Sequence, residues 1–101
     1  MIIMFFILLL TSAPSGQDFS ELFQEVEVGN IDNIRSQIPQ LVAQHPDNHA
    51  IIFLAALVKE RAEEAVVAYK SMIQNYPDSP YADDAVAKVG EYLYARGLYT
   101  Q

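Results

Sequence analysis

The chain has 101 residues, 51% of them hydrophobic and 19% charged, which is enough for one domain with a core and excludes wholesale disorder. A net charge of −7, with its few cations scattered as Arg35, Lys59, Arg61, Lys70, Lys88 and Arg96, excludes the basic patch that nucleic acid or anionic lipid requires. There is no cysteine, so disulfides, thiolate catalysis and a lipid-modified N-terminal Cys are excluded as well.

Met1 to Leu10 is an uninterrupted apolar run, followed by Thr11-Ser12-Ala13-Pro14-Ser15-Gly16. The run is about half the ~20 residues that a membrane-spanning helix needs. It fits the core of a secretory signal, with small residues at Ala13 and Ser15 for cleavage, although no basic residue precedes it. The alternative, a hydrophobic helix packed on the domain, would show polar positions at helical spacing. The expected division is therefore 1–16 as a signal peptide and 17–101 as a helical domain.

Five helices are predicted after that. The first covers Asp18 to Val28, with Phe19, Leu22, Phe23 and Val26 at the spacing of one buried face. Asp18 stands as its cap, Glu21 takes the capping-box position, and Gly29-Asn30 ends it. The second runs from about Ile31 to Gln44, with Ile31, Ile34, Ile38, Leu41 and Val42 inward and a kink expected at Pro39. The third, Asn48 to about Glu60, is apolar all round through Ala50 to Val58 and so should be central and buried. A tight turn at Lys59-Glu60-Arg61 is expected before the fourth, Ala62 to Tyr76, whose inner face is Ala65, Val66, Tyr69, Met72, Ile73 and Tyr76. The fifth begins with Ser79 as cap and Pro80 in the first turn, buries Ala82, Ala85, Val86, Val89 and Leu93, and is expected to close at Gly97.

These helices carry an internal repeat. His45-Pro46-Asp47-Asn48 and Tyr76-Pro77-Asp78-Ser79 are two versions of one punctuation mark. Superposing them also brings Ile34, Ile38, Leu41 and Val42 onto Ala65, Tyr69, Met72 and Ile73. Self-similarity at a fixed period marks a repeat architecture. The expected fold is all-α: antiparallel helix-turn-helix repeats forming a solenoid of about five helices.

On these residues the chain resembles the tetratricopeptide repeat, a helical pair of 34 residues. Val89-Gly90, Leu93, Gly97 and Tyr99 match its first helix and turn, and Ala65, Tyr69, Met72 and Pro77 its second helix and closing proline. In the first unit Gly29, Ile31 and Pro46 match, with Ile34 in place of the alanine. Ala55-Ala56 fit the central unit only with a turn about three residues short of the family's. The last repeat is incomplete. The wording from Tyr76 to Ala85, with Gly90 and Gly97-Leu98-Tyr99, is similar to the repeat domains of bacterial envelope proteins such as outer-membrane assembly lipoproteins and cell-division coordinators. The resemblance implies a periplasmic binding platform. Some related chains follow such repeats with a peptidoglycan-binding domain.

The candidate chemistry is sparse. His45 and His49 are four apart, as two metal ligands on a helix would be, but Pro46 separates them and packing roles are expected. Glu60, Glu63 and Glu64, and Asp83 with Asp84, read as solvated faces or first-turn acids. No catalytic triad, phosphate loop or metal motif occurs, so no catalytic residue, metal or cofactor is expected. Tyr92 and Tyr94 cannot share one buried face. They either form a binding surface or are covered by a further helix.

The expected function is non-catalytic: a protein-interaction module secreted to the periplasm or cell envelope, binding a protein or peptide rather than nucleic acid or a small-molecule substrate. Asn48, Lys59, Asp84, Lys88, Glu91 and Tyr92 are its candidate binding positions, on the concave face made by the first helix of each unit. The alternative is an oligomerisation or spacer segment presenting a downstream domain, and self-association is expected for so short an array.

Overall fold

The computed structural model describes residues 19–100, with side chains to residue 97. Residues 1–16, and with them the expected signal peptide, lie outside the described residues, as does Asp18. The described chain is all-α, with five helices: α1 Ser20–Glu27, α2 Ile31–Gln44, α3 His49–Leu57, α4 Ala62–Asn75 and α5 Pro80–Thr100.

Local chemistry sets most of these bounds. Gly29 takes φ +92 after α1, a left-handed conformation that an L side chain resists. The ends of α2 and α4 are governed by proline. Pro46 and Pro77 each disfavour helical geometry in the preceding residue. His45 accordingly sits at φ −134, ψ 63 and Tyr76 at φ −135, ψ 58. The N–H of each still closes its helix, His45 onto Leu41 O and Tyr76 onto Met72 O, both at 2.8 Å. Their carbonyls then accept from Asn48 N at 3.2 Å and Ser79 N at 3.0 Å. The next helix is capped in the same place. Asn48 Oδ1 accepts from Ala50 N at 2.9 Å and Ile51 N at 3.2 Å, and Ser79 Oγ accepts from Tyr81 N at 3.1 Å. α2 and α4 start 31 residues apart, as do α3 and α5, so sequence repeat and structural repeat share one register.

α3 is the centre. Ile51, Leu54 and Val58 join Ile34 of α2 in one core, and the α1 residues Leu22, Phe23 and Val26 pack against it. Phe53 and Ala56 join Tyr69 and Met72 of α4 and Ala85 of α5 in a second core. A nine-residue helix that is apolar all round can serve two cores at once. Phe23 borders both. The turn at Lys59-Glu60-Arg61 is present, and Arg35 clasps it by donating from Nε to Val58 O at 2.7 Å while pairing with Asp32 at 2.7 Å.

Several expectations need correction. α1 starts at Ser20 with Phe19 in the cap position, which forms no side-chain cap hydrogen bond, while the expected cap Asp18 lies outside the described residues. α3 stops at Leu57, short of Glu60, because Val58 already turns out of the helix with its N–H on Leu54 O. Pro39, by contrast, leaves α2 unbroken from Ile31 to Gln44, as expected. Val42 is exposed, since the core meets α2 through Ile34, Ile38 and Leu41.

The larger corrections concern α5. Gly97 does not close it; the helix runs on to Thr100. A glycine weakens a helix interior by ~1 kcal/mol without ending it, and no described helix follows to draw the chain back. Val86 and Leu93 are 54% and 55% exposed, where burial was expected. α4 has 14 residues and α5 has 21, about 21 Å against about 31 Å of helix, so α5 outruns its neighbour. The buried face of α5 is Ala82 and Ala85 with half-buried Tyr81 and Val89, displaced from Val86 around the helix.

Candidate functional site: a groove lined by α1, α3 and α5

The first helix of each sequence unit contributes an aromatic ring to one cluster. Phe23 of α1 stacks on Tyr81 of α5, with centroids 6.0 Å apart and planes within 11°. Phe53 of α3 lies 6.2 Å from Phe23, 5.6 Å from Tyr81 and 5.7 Å from Tyr69. Parallel-offset and tilted ring pairs of this kind add to the area they bury. They hold three helices, distant in sequence, at a fixed separation.

Beside the rings the same helices leave a groove of about 410 Å³. Its floor is apolar: Phe23 and Val26 from α1, Phe53 and Leu57 from α3. Its rim is charged. Glu27 stands on the α1 side, and Asp84, Lys88 and Glu91 stand on the α5 side with Ala87 among them. Lys88 Nζ is 3.8 Å from Glu91, an i,i+3 pair in which Lys88 is half-buried and Glu91 exposed. Glu91 also acts behind the groove. Burial pushes the Tyr69 phenol above its usual 10.0, and the nearby Glu91 carboxylate adds to the shift.

The structure thus brings together Asp84, Lys88 and Glu91 from the expected binding set. The other three lie elsewhere. Asn48 spends its side-chain carbonyl on capping α3 and borders a shallow hollow with Asp47, His49 and Tyr81. Lys59, in the turn after α3, lines a separate depression of about 250 Å³ with Arg35, Ile38 and Glu64. Tyr92, half-buried on α5, accepts a hydrogen bond from Arg96 Nη1 at 3.1 Å, and the guanidinium sits 5.6 Å over its ring. Tyr94 is 71% exposed, so the two tyrosines do part company as their spacing requires.

Phe23 and Val26, expected in the core from their periodicity, and Leu57, expected there because its helix is apolar all round, each also face the groove. Glu27, four residues beyond Phe23 on α1, was not among the expected binding residues. The histidines pack against rings. His45 meets Phe19 edge-on at 5.2 Å, and His49 lies 4.5 Å from Tyr76, so the end of α2 touches the start of α1 as the end of α4 touches the start of α3. Among the described residues no three His, Cys, Asp or Glu side chains are grouped to hold a metal ion. Among the same residues no helix is long and apolar enough to cross a membrane.

Comparison with models of known families, with curated proteins and with solved structures finds no match to this chain.

Proposed function

We propose that this chain is a non-catalytic protein–protein interaction module of tetratricopeptide type that acts in the bacterial cell envelope. The observation that carries the reading is the groove: an apolar floor with a charged rim, lined by the helices that open each sequence unit. Such a surface suits a protruding side chain with a polar surround, the arrangement of interaction hot spots. The apolar run of residues 1–10 supports export, and the Pro-Asp punctuation supports the family.

A small aliphatic diazirine side chain at Ala87, on the rim of the groove and too short to fill it, tests the module in its native host, with Val67, exposed on α4, as the control site. Discrete adducts from position 87 and none from position 67 are expected, in the envelope fraction and on a chain whose mass lacks the first ~15 residues. Equal or absent adducts at both sites would remove the groove from consideration, and a retained Met1 would remove export.

A second reading, a structural segment that presents another domain, is favoured by one observation. The outer side of α5 leaves Val86, Leu93 and Tyr94 exposed.

A further inference from the structure

Resting on the groove reading above, we propose that the groove takes a cationic amphipathic segment of a partner, one large apolar side chain on the floor with Lys or Arg at its flanks. Phe23 and Leu57 on the floor call for an apolar anchor, and about 410 Å³ is the size of a cleft for side chains rather than for a folded surface. The rim selects sign. Three carboxylates, Glu27, Asp84 and Glu91, face one ammonium, Lys88, and that ammonium is already paired with Glu91. The carboxylates stand on opposite sides, Glu27 on α1 and the others on α5, so a segment crossing the groove meets negative charge at both edges. The net charge of −7 extends the same preference to long range and speeds encounter with a cation. Other occupants fit less well. A second copy of this chain brings −7 of its own, and the apolar residues 1–10 bring no charge to match the rim.

The test uses the full chain and two synthetic 15-residue peptides with leucine at i, i+3, i+4 and i+7. The remaining positions are lysine in one and glutamate in the other, and binding is read by fluorescence anisotropy. The lysine peptide is expected to bind and the glutamate peptide to bind at least about tenfold more weakly. Asp84→Lys with Glu91→Lys should weaken the lysine peptide about tenfold, as two rim pairs turn repulsive. Glu63→Lys with Glu64→Lys makes the same charge change outside the groove and should cost less than about twofold. Ala87→Trp, from an exposed position, should block binding by filling the groove.

Equal losses from the two charge reversals would show diffuse attraction and overturn the proposal. If both peptides bound equally and Ala87→Trp blocked both, charge selection would be overturned while the docking module stood. Binding of neither peptide would overturn the cationic occupant, leaving the crosslinking experiment to judge the module. Self-association abolished by Ala87→Trp, seen in sedimentation without peptide, would replace the partner by a second copy.

Discussion

Tyr69 is 6% exposed, and its phenol is held above 10.0 by burial first and by Glu91 second. The raised value means that the folded state holds the proton more tightly than the unfolded chain does. This stabilisation is complete below pH 10 and is lost as pH climbs through the folded value. Urea midpoints measured from pH 9 upward should therefore fall steeply in the natural chain and less steeply in Tyr69→Phe. Parallel pH dependences would show that the phenol does not carry the effect. Tyr69 was legible as a core residue because its 3.6-residue periodicity with Val66, Met72 and Ile73 depends only on α4 itself. Glu91 acting on it was not legible, because the pair is 22 positions apart and on different helices. Asn48 shows the same division. Its place at a helix start was readable, but that its carbonyl is consumed by two backbone N–H groups was not.

At the level of the element, two glycines invite opposite predictions. Gly29 adopts φ +92, where an added Cβ is strained whatever space surrounds it. Gly29→Ala should lower stability by ~1 kcal/mol. Gly97 lies inside α5 with nothing within 4 Å of an added Cβ. Gly97→Ala should raise stability, by up to ~1 kcal/mol, through helix propensity alone. Thermal melts of the two variants distinguish the cases, and a loss at Gly97 would restore the turn once expected there. The contrast explains where helix boundaries could be read. Pro46, Pro77 and Gly29 end helices by sterics that act between neighbours, so their sequence is sufficient. Gly97 is only weakly disfavoured in a helix, so the end of α5 depends on what packs around it. Val86 and Leu93 belong to this second kind, for α5 packs through Tyr81, Ala82, Ala85 and Val89 and leaves their face uncovered.

For the molecule as a whole, Phe23 has a coupling role. It borders the core built on Ile34, Ile51 and Leu54 as well as the one built on Phe53, Tyr69 and Met72. No residue of α1 is fully buried, so this ring is a main tie between α1 and the rest. Phe23→Ala should lower stability by roughly 2–4 kcal/mol, the lower range for a ring that is only partly buried. It should also lower the urea m-value, as α1 detaches before the remaining helices. An unchanged m-value with coincident transitions would show that the cores do not communicate through Phe23. The sequence by itself determined the helical class, the 31-residue register, the paired proline turns and the central place of α3, because each follows from periodicity or from sterics between close neighbours. Only the tertiary structure decided the groove. Its walls come from residues as far apart as Phe23 and Glu91, and its floor is apolar surface that looks like core until the three helices are placed. Charge and apolarity are properties of residues, but a concave surface is a property of their arrangement.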